Sequence, residues 1–155
     1  MEHVHDTLSP DARIALIAET QYGVVGIDQL RGAGLGVGAI NSRVRAGRLH
    51  RLHRGVFAVG HRHLSREARW LAAVFALGEG AVLSHSSAAA LWGMRPSNSV
   101  AIHVTVPTSA GHPHGTGVIV HRWRTLTAAD VEEHDAIRVT SVARTLLDLA
   151  SILAP

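Results

Sequence analysis

Five arginines, at positions 43, 45, 48, 51 and 54, fall in the stretch Gly38 to Gly55, which also holds two histidines and no acidic residue. Arginine carries a planar fork of donors that fits phosphate oxygens and the O6/N7 edge of guanine. The chemistry on offer is recognition of a polyanion. Apolar residues are interleaved with the charge. On a helix starting at about Val37, the residues Val37, Ile40 and Val44 share one stripe. Gly38, Ala39, Ser42 and Ala46 then lie on the opposite face, with Arg43 and Arg45 on its two sides. Small residues along that crest would let the helix sit deep in a major groove while the arginines reach bases or phosphates. Arg48, Arg51 and Arg54 continue onto the strands and turn that follow. The candidate contact set is Ser42, Arg43, Arg45, Arg48, Arg51 and Arg54.

Other residue types capable of chemistry give weaker patterns. Twelve histidines invite a metal reading, with His61/His63 and His112/His114 spaced two apart and His103 and His121 on neighbouring strands. A zinc site needs three or four converging ligands at a recognisable spacing, and no HExxH or Cys/His spacing is present. Scattered surface and half-buried histidines are the expectation, with no metal and no cofactor. Ser84 and His85 are adjacent, but neighbours on one helical turn point in different directions, so they are not expected to pair as nucleophile and base. Arg144 and Asp148, four apart, can pair along a helix. No phosphate-binding glycine loop, dinucleotide fingerprint or paired-carboxylate arrangement is found, and no enzymatic activity is expected.

The elements that must position the arginines can be read from caps and periodicity. Ser9 and Pro10 suit the start of a helix with Ile14, Ile17 and Ala18 facing inward, ended by Gly23. A short helix from Ile27 to Arg31, the turn GAGLG, and a helix from Val37 to Ala46 stopped by Gly47 follow. Arg48–Leu52 and Val56–Val59 read as strands joined by His53-Arg54-Gly55. Three small helices and a hairpin are the order of a winged helix-turn-helix, predicted here over residues 9–60.

HRHLS (61–65) reads as a junction. The second region, 66–155, is predicted as mixed α/β, giving an α+β chain. Arg66–Leu77 reads as a buried helix. Ser84 can cap a helix carrying Ala88, Leu91 and Trp92. AIHVTVP and GVIVHRW read as strands, separated by the long glycine-rich segment SAGHPHGTG, which is expected to be mobile. Thr127–Glu133 reads as a short acidic helical turn. The last motif, RVTSVARTLLDLAS, reads as a strand into a helix capped by Thr140 or Ser141, with Val142, Leu146 and Leu149 facing inward.

Composition bounds the setting. The 155 residues are 46% hydrophobic, enough to bury a core, and all 15 Lys+Arg residues are arginine. Net charge is only +3, yet Gln29–Arg66 holds eight arginines without an acid, whereas Asp130–Asp135 holds four acids in six residues. Such asymmetry points to a polyanion partner. There is no cysteine, the first eight residues do not resemble a signal peptide, and no apolar run approaches the roughly 20 residues that span a bilayer. A soluble cytoplasmic protein is expected.

The segments GVVGIDQLRGAGLGVGAINSRVRAGRLHRLHRGVFAVG, LSHSSAAALWGM, IHVTVP and VTSVARTLLDLA, in that order from about Ile14 to Ala150, resemble actinobacterial proteins of the AbiEi antitoxin type. The resemblance implies a winged-helix domain followed by an α/β region. It also implies a DNA-binding antitoxin that autoregulates its operon in a type IV toxin–antitoxin system, with duplex DNA and a nucleotidyltransferase-like toxin as partners. Many such proteins continue into a DUF559-type, Vsr-like endonuclease domain. This chain stops at ASILAP, so its second region is expected to be incomplete at the C-terminus. Two other readings follow: the targeting fragment of such a nuclease, or a protein-binding module. The module would capture a toxin through a patch at Trp92, Met94 and Trp123.

Overall fold

The computed structural model describes residues 7–97, 99–108 and 117–154. Most of the glycine-rich segment, with His112 and His114, lies outside the described residues, as do the first six. The chain forms two compact units, residues 1–72 and 73–155.

The first unit contains α1 (Pro10–Thr20), β1 (Val24–Gly26), α2 (Ile27–Gly32), α3 (Val37–Arg45), β2 (Leu49–His53) and β3 (Val56–Val59). Ser9 starts α1 as its composition suggests, its Oγ accepting from the Ala12 amide at 3.2 Å. Ile14 and Ala18 are buried and Ile17 is packed against them. The three-residue strand β1 was not anticipated, because VVG is too short to show alternation. It joins the hairpin as a three-stranded antiparallel sheet ordered β1-β3-β2. One core gathers Ile14, Ala18, Val25, Leu30, Leu35, Ile40, Leu49 and Phe57. The fold is a winged helix-turn-helix.

Two glycines fix the ends of the wing. At the end of α3, the Gly47 amide donates to Val44 O and the Arg48 amide to Arg43 O, a pairing that needs a left-handed residue, and Gly47 supplies it with φ +74°. At the hairpin tip, Gly55 has φ +73°. A Cβ there would sit 3.3 Å from Ile27 Cγ2, while the Gly55 carbonyl accepts from the Ile27 amide at 2.8 Å. The wing turn is thereby tied to the start of α2.

The helix α4 (Arg66–Ala76) spans the boundary between the units; Ala68 and Trp70–Val74 are buried, as its apolar run suggests. The second unit continues with β4 (Val82–Leu83), α5 (His85–Leu91), β5 (Ile102–Pro107), β6 (Val118–Trp123), β7 (Val131–His134), β8 (Ile137–Thr140) and α6 (Val142–Leu153). The sheet order is β6-β5-β4-β8-β7. β5 and β6 are parallel, with Thr105 opposite His121, and β4 runs parallel to β8. Val82, Leu83, Val104, Val106, Ile137 and Val139 form the buried strand residues.

Three expectations for this unit are overturned. Thr127–Glu133 is not one helical turn: a 3-10 turn covers Ala128–Asp130 only, and Glu132 and Glu133 lie on β7, paired with β8. Ser84 precedes α5, but its side chain makes no cap hydrogen bond. The inward face of α6 is also different. Val142 and Leu146 are exposed, together with Leu147 at 69%, while Arg144, Thr145 and Asp148 are buried. The polar residues win because each finds a partner. Ser141 Oγ caps the Arg144 amide at 3.2 Å, Thr145 Oγ1 donates to Ser141 O at 2.8 Å, and Arg144 Nε donates to Asp148 Oδ1 at 2.8 Å.

Candidate nucleic-acid interface

α3 presents Gly38, Ser42 and Arg45 outward, all exposed. Its inner side differs from the periodicity reading in two places. Val37 is 64% exposed, because it occupies the first helical position where no neighbouring element covers it. Ala39, placed on the crest from sequence, is instead packed against the core with Val44. The stripe that holds α3 is therefore Ala39, Ile40 and Val44.

The six candidate residues fall into three groups. Ser42 and Arg45 stand on the exposed face of α3, and Arg48 follows at the entry to β2, also exposed. Arg51, on β2, donates to Asn41 Oδ1 at 2.8 Å and lies 5.3 Å from the Phe57 ring centroid. It links α3 to the wing through its side chain. Arg54 is exposed at the hairpin tip. Arg43 is committed elsewhere. Its Nε and Nη2 grip both oxygens of Asp11 at 2.8 and 3.2 Å, and its Nη1 donates to Ala39 O at 3.1 Å. That hydrogen bond holds the Asp11 carboxyl below the ordinary carboxylate range, helped by the charges of Arg43 and Arg48. Asn41 is the residue the sequence reading missed, and its position one turn from Arg45 on a helix with small neighbours was the available signal.

A second constellation lies in the other unit. The His103 Nδ1 and His121 Nε2 atoms are 2.9 Å apart. His121 stacks on His85 with centroids 3.6 Å apart, and His103 lies 6.0 Å from His85. Of the histidines expected to scatter, these three cluster because Thr105 and His121 are register partners on parallel strands and α5 packs over them. Burial lowers all three, His85 to about 4. Among the described residues no three metal-ligating side chains could hold an ion.

Ser84 and His85 do meet, contrary to the helical argument. Ser84 Oγ and His85 Nδ1 are 2.9 Å apart. His85 has φ +53°, so the regular 100° step between helical neighbours does not apply to this pair. Such a backbone costs on the order of 1 kcal/mol or more and survives where its surroundings fix it. Thr105 Oγ1 donates to Ser84 Oγ at 2.7 Å, and Ser84 is 0% exposed. A serine with no access to solvent cannot meet a substrate, so the pair is a packed polar node.

Trp92, proposed from sequence as part of an exposed patch, is fixed instead. Its Nε1 donates to Thr140 O at 2.8 Å. Trp123 is half exposed, with the Arg144 guanidinium 4.2 Å from its ring centroid.

Comparison with known proteins adds the family. No curated protein matches the chain. Among solved structures, the crystal structure of the RV2827C protein from Mycobacterium tuberculosis is similar, with a TM-score of 0.55 at 22% identity, over 93% of this chain and 61% of that one. The chain thus spans about three fifths of that protein's length, and the likeness is one of fold. Among the described residues no helix is long and apolar enough to cross a membrane. Residues 12–60 match the family described as transcriptional regulator, AbiEi antitoxin. Residues 80–154 match the AbiEi antitoxin C-terminal domain. With both halves matched in order, the chain belongs to the AbiEi-type family of antitoxins and transcriptional regulators.

Proposed function

We propose that the winged helix binds duplex DNA and that the chain is the autoregulating antitoxin of a type IV toxin–antitoxin system. The observation that carries this reading is the outer side of α3. Gly38, Ser42 and Arg45 are exposed and lead without an intervening acid onto Arg48, Arg51 and Arg54. In this reading α3 enters the major groove, with Arg45 reaching a guanine or phosphate. Asn41 and Arg51 act as one hydrogen-bonded unit, Arg48 and Arg54 meet phosphates, and Arg43 positions α3 against α1. Exposed Val37 at the leading end of α3 is suited to a thymine methyl.

The test is binding to duplex fragments from upstream of the protein's own operon, measured by fluorescence anisotropy against salt. The slope of log K against log salt should be about −0.9 for each phosphate neutralised. Binding that is absent at low salt, or that ignores salt, refutes the reading.

The antitoxin half of the proposal rests on α6. Its exposed residues Val142, Leu146, Leu147 and Leu153 share one side of the helix and form an apolar face suited to a partner protein. Co-purification with the product of the adjacent gene should succeed for the native chain and fail for Leu146→Ser/Leu147→Ser. Equal recovery by both excludes α6 as the capture surface.

A further inference from the structure

The second unit has an open pocket at the end of its sheet where β5 and β6 finish. Its volume is about 320 Å3, at the lower end of the range of about 300 to 1,000 Å3 for small-ligand sites. Trp123 forms one wall, Leu126 and Val131 supply apolar surface, and Arg124, just past the end of β6, and Arg138, on β8, line it as well. Both arginines are exposed. Arg138 lies opposite Glu133 in the β7–β8 register, yet no ion pair joins them among the described residues. Two cations beside an aromatic plane and a small apolar floor make an arrangement for a planar ring that carries an anion.

The Trp123 ring is not left to wander. The Arg144 guanidinium lies 4.2 Å from its centroid. Arg144 is buried and is itself held by Asp148 at 2.8 Å and Asp130 at 3.9 Å. A buried ion pair is a poor source of stability by itself; here it fixes the plane of an indole that is otherwise half exposed. A ring immobilised before binding loses less freedom when a second ring stacks on it.

We infer that this pocket binds a nucleotide, its base stacked on Trp123 and its phosphate between Arg124 and Arg138. The shared chemistry of base and phosphate fits a free mononucleotide or the terminal nucleotide of a single strand. The site is lined entirely by residues of the second unit.

Calorimetric titration of the full chain carrying Arg45→Ala and Arg48→Ala, which weakens the duplex-binding surface, is the test. The probes are ATP, GTP, UTP, ribose 5-phosphate and a 5′-phosphorylated thymidine hexamer. Saturable binding of a nucleoside triphosphate assigns a free nucleotide. Binding of the hexamer alone assigns a strand end. Ribose 5-phosphate should bind at least about tenfold more weakly than whichever probe binds. In that background, Trp123→Ala should abolish binding, Trp123→Phe should restore it in part, and Arg138→Gln should weaken it about tenfold. Circular dichroism melting checks that each variant is folded. If Trp123→Ala fails to fold, the Phe and Gln variants decide. No saturable binding by any probe overturns the inference, as does binding that Arg138→Gln and Trp123→Phe both leave unchanged.

Discussion

The imidazoles of His85 and His121 stack with ring centroids 3.6 Å apart, one from α5 and the other from β6. His103 closes the group through its 2.9 Å contact with His121. Protonating His85 puts a charge into a partly buried cluster near Arg144, and Asp148 is the opposing influence on His85 and His121. Burial depresses each below its ordinary value, His85 from 6.5 to about 4. The unfolded chain therefore takes up protons first as pH falls. The stability these groups contribute is complete above about pH 6.5 and is lost as pH falls toward about 4, the folded value for His85. Urea unfolding of the second unit, followed across that window, should show a falling midpoint. His121→Phe should flatten the dependence, and a midpoint independent of pH would contradict it.

How much of this was legible depends on which residues had to act locally. Ser9, Pro10 and Gly47 work through their own backbones and the adjoining turn, so α1 and the end of α3 could be read directly. Ile40 and Val44 were correctly placed inward, whereas Val37 was not, since helical phase says nothing about which turns another element covers. In α6, Val142 and Leu146 were assigned inward on apolar character alone. Their phase was overruled by Thr145 and the Arg144 amide, whose partners at Thr140 and Ser141 lie just outside the helix, and by the Arg144–Asp148 side-chain pair within it. The histidine cluster needed the β5–β6 register, which no local pattern states. The Ser84–His85 contact needed a positive φ at a residue other than glycine.

The buried pair Arg144–Asp148 supplies a second prediction. Both residues are less than a tenth exposed, so removing Asp148 leaves the Arg144 guanidinium in a poorly solvated site with only the more distant Asp130 carboxylate, 3.9 Å away, to balance it. Asp148→Ala should destabilise the second unit by about 3 kcal/mol or more. The double variant Arg144→Met/Asp148→Leu should recover much of that loss, because it removes both buried charges and leaves Asp130, which is partly exposed and accepts from Thr127 N and Oγ1. Chemical denaturation with tryptophan fluorescence reads both. Similar losses in single and double variants would mean the pair contributes through its hydrogen bonds rather than its charge balance.

The pair Asp11–Arg43 sits at the surface, with side-chain exposures of 54% and 19%. Water screens it, so Asp11→Ala should cost no more than about 1 kcal/mol. Its use lies in orientation, because it anchors α3 to α1 from the side opposite the exposed crest. Arg43→Ala should accordingly weaken duplex binding less than Arg45→Ala, for which a loss of about 1–3 kcal/mol is expected if the contact is to a base. Anisotropy titrations at fixed salt rank the two. A larger loss for Arg43→Ala would move the contact from Arg45 to Arg43 and require the ion pair to open on DNA.

Gly38 separates folding from binding more sharply than any arginine. It is the second residue of α3, its φ is not in the left-handed region, and a Cβ built on it meets nothing within 4 Å. Glycine in a helix interior gives up about 1 kcal/mol relative to alanine and less in the first turn, and much of that comes from the freedom it gives the unfolded chain. Gly38→Ala should therefore stabilise the first unit by roughly 0.5–1 kcal/mol. Gly38→Glu should also fold, because its side chain points into open space, yet it should abolish duplex binding by setting bulk and negative charge on the crest. Thermal melts and DNA titrations on the same preparations give both answers. Duplex binding that survives in Gly38→Glu would show that the crest of α3 does not enter the groove.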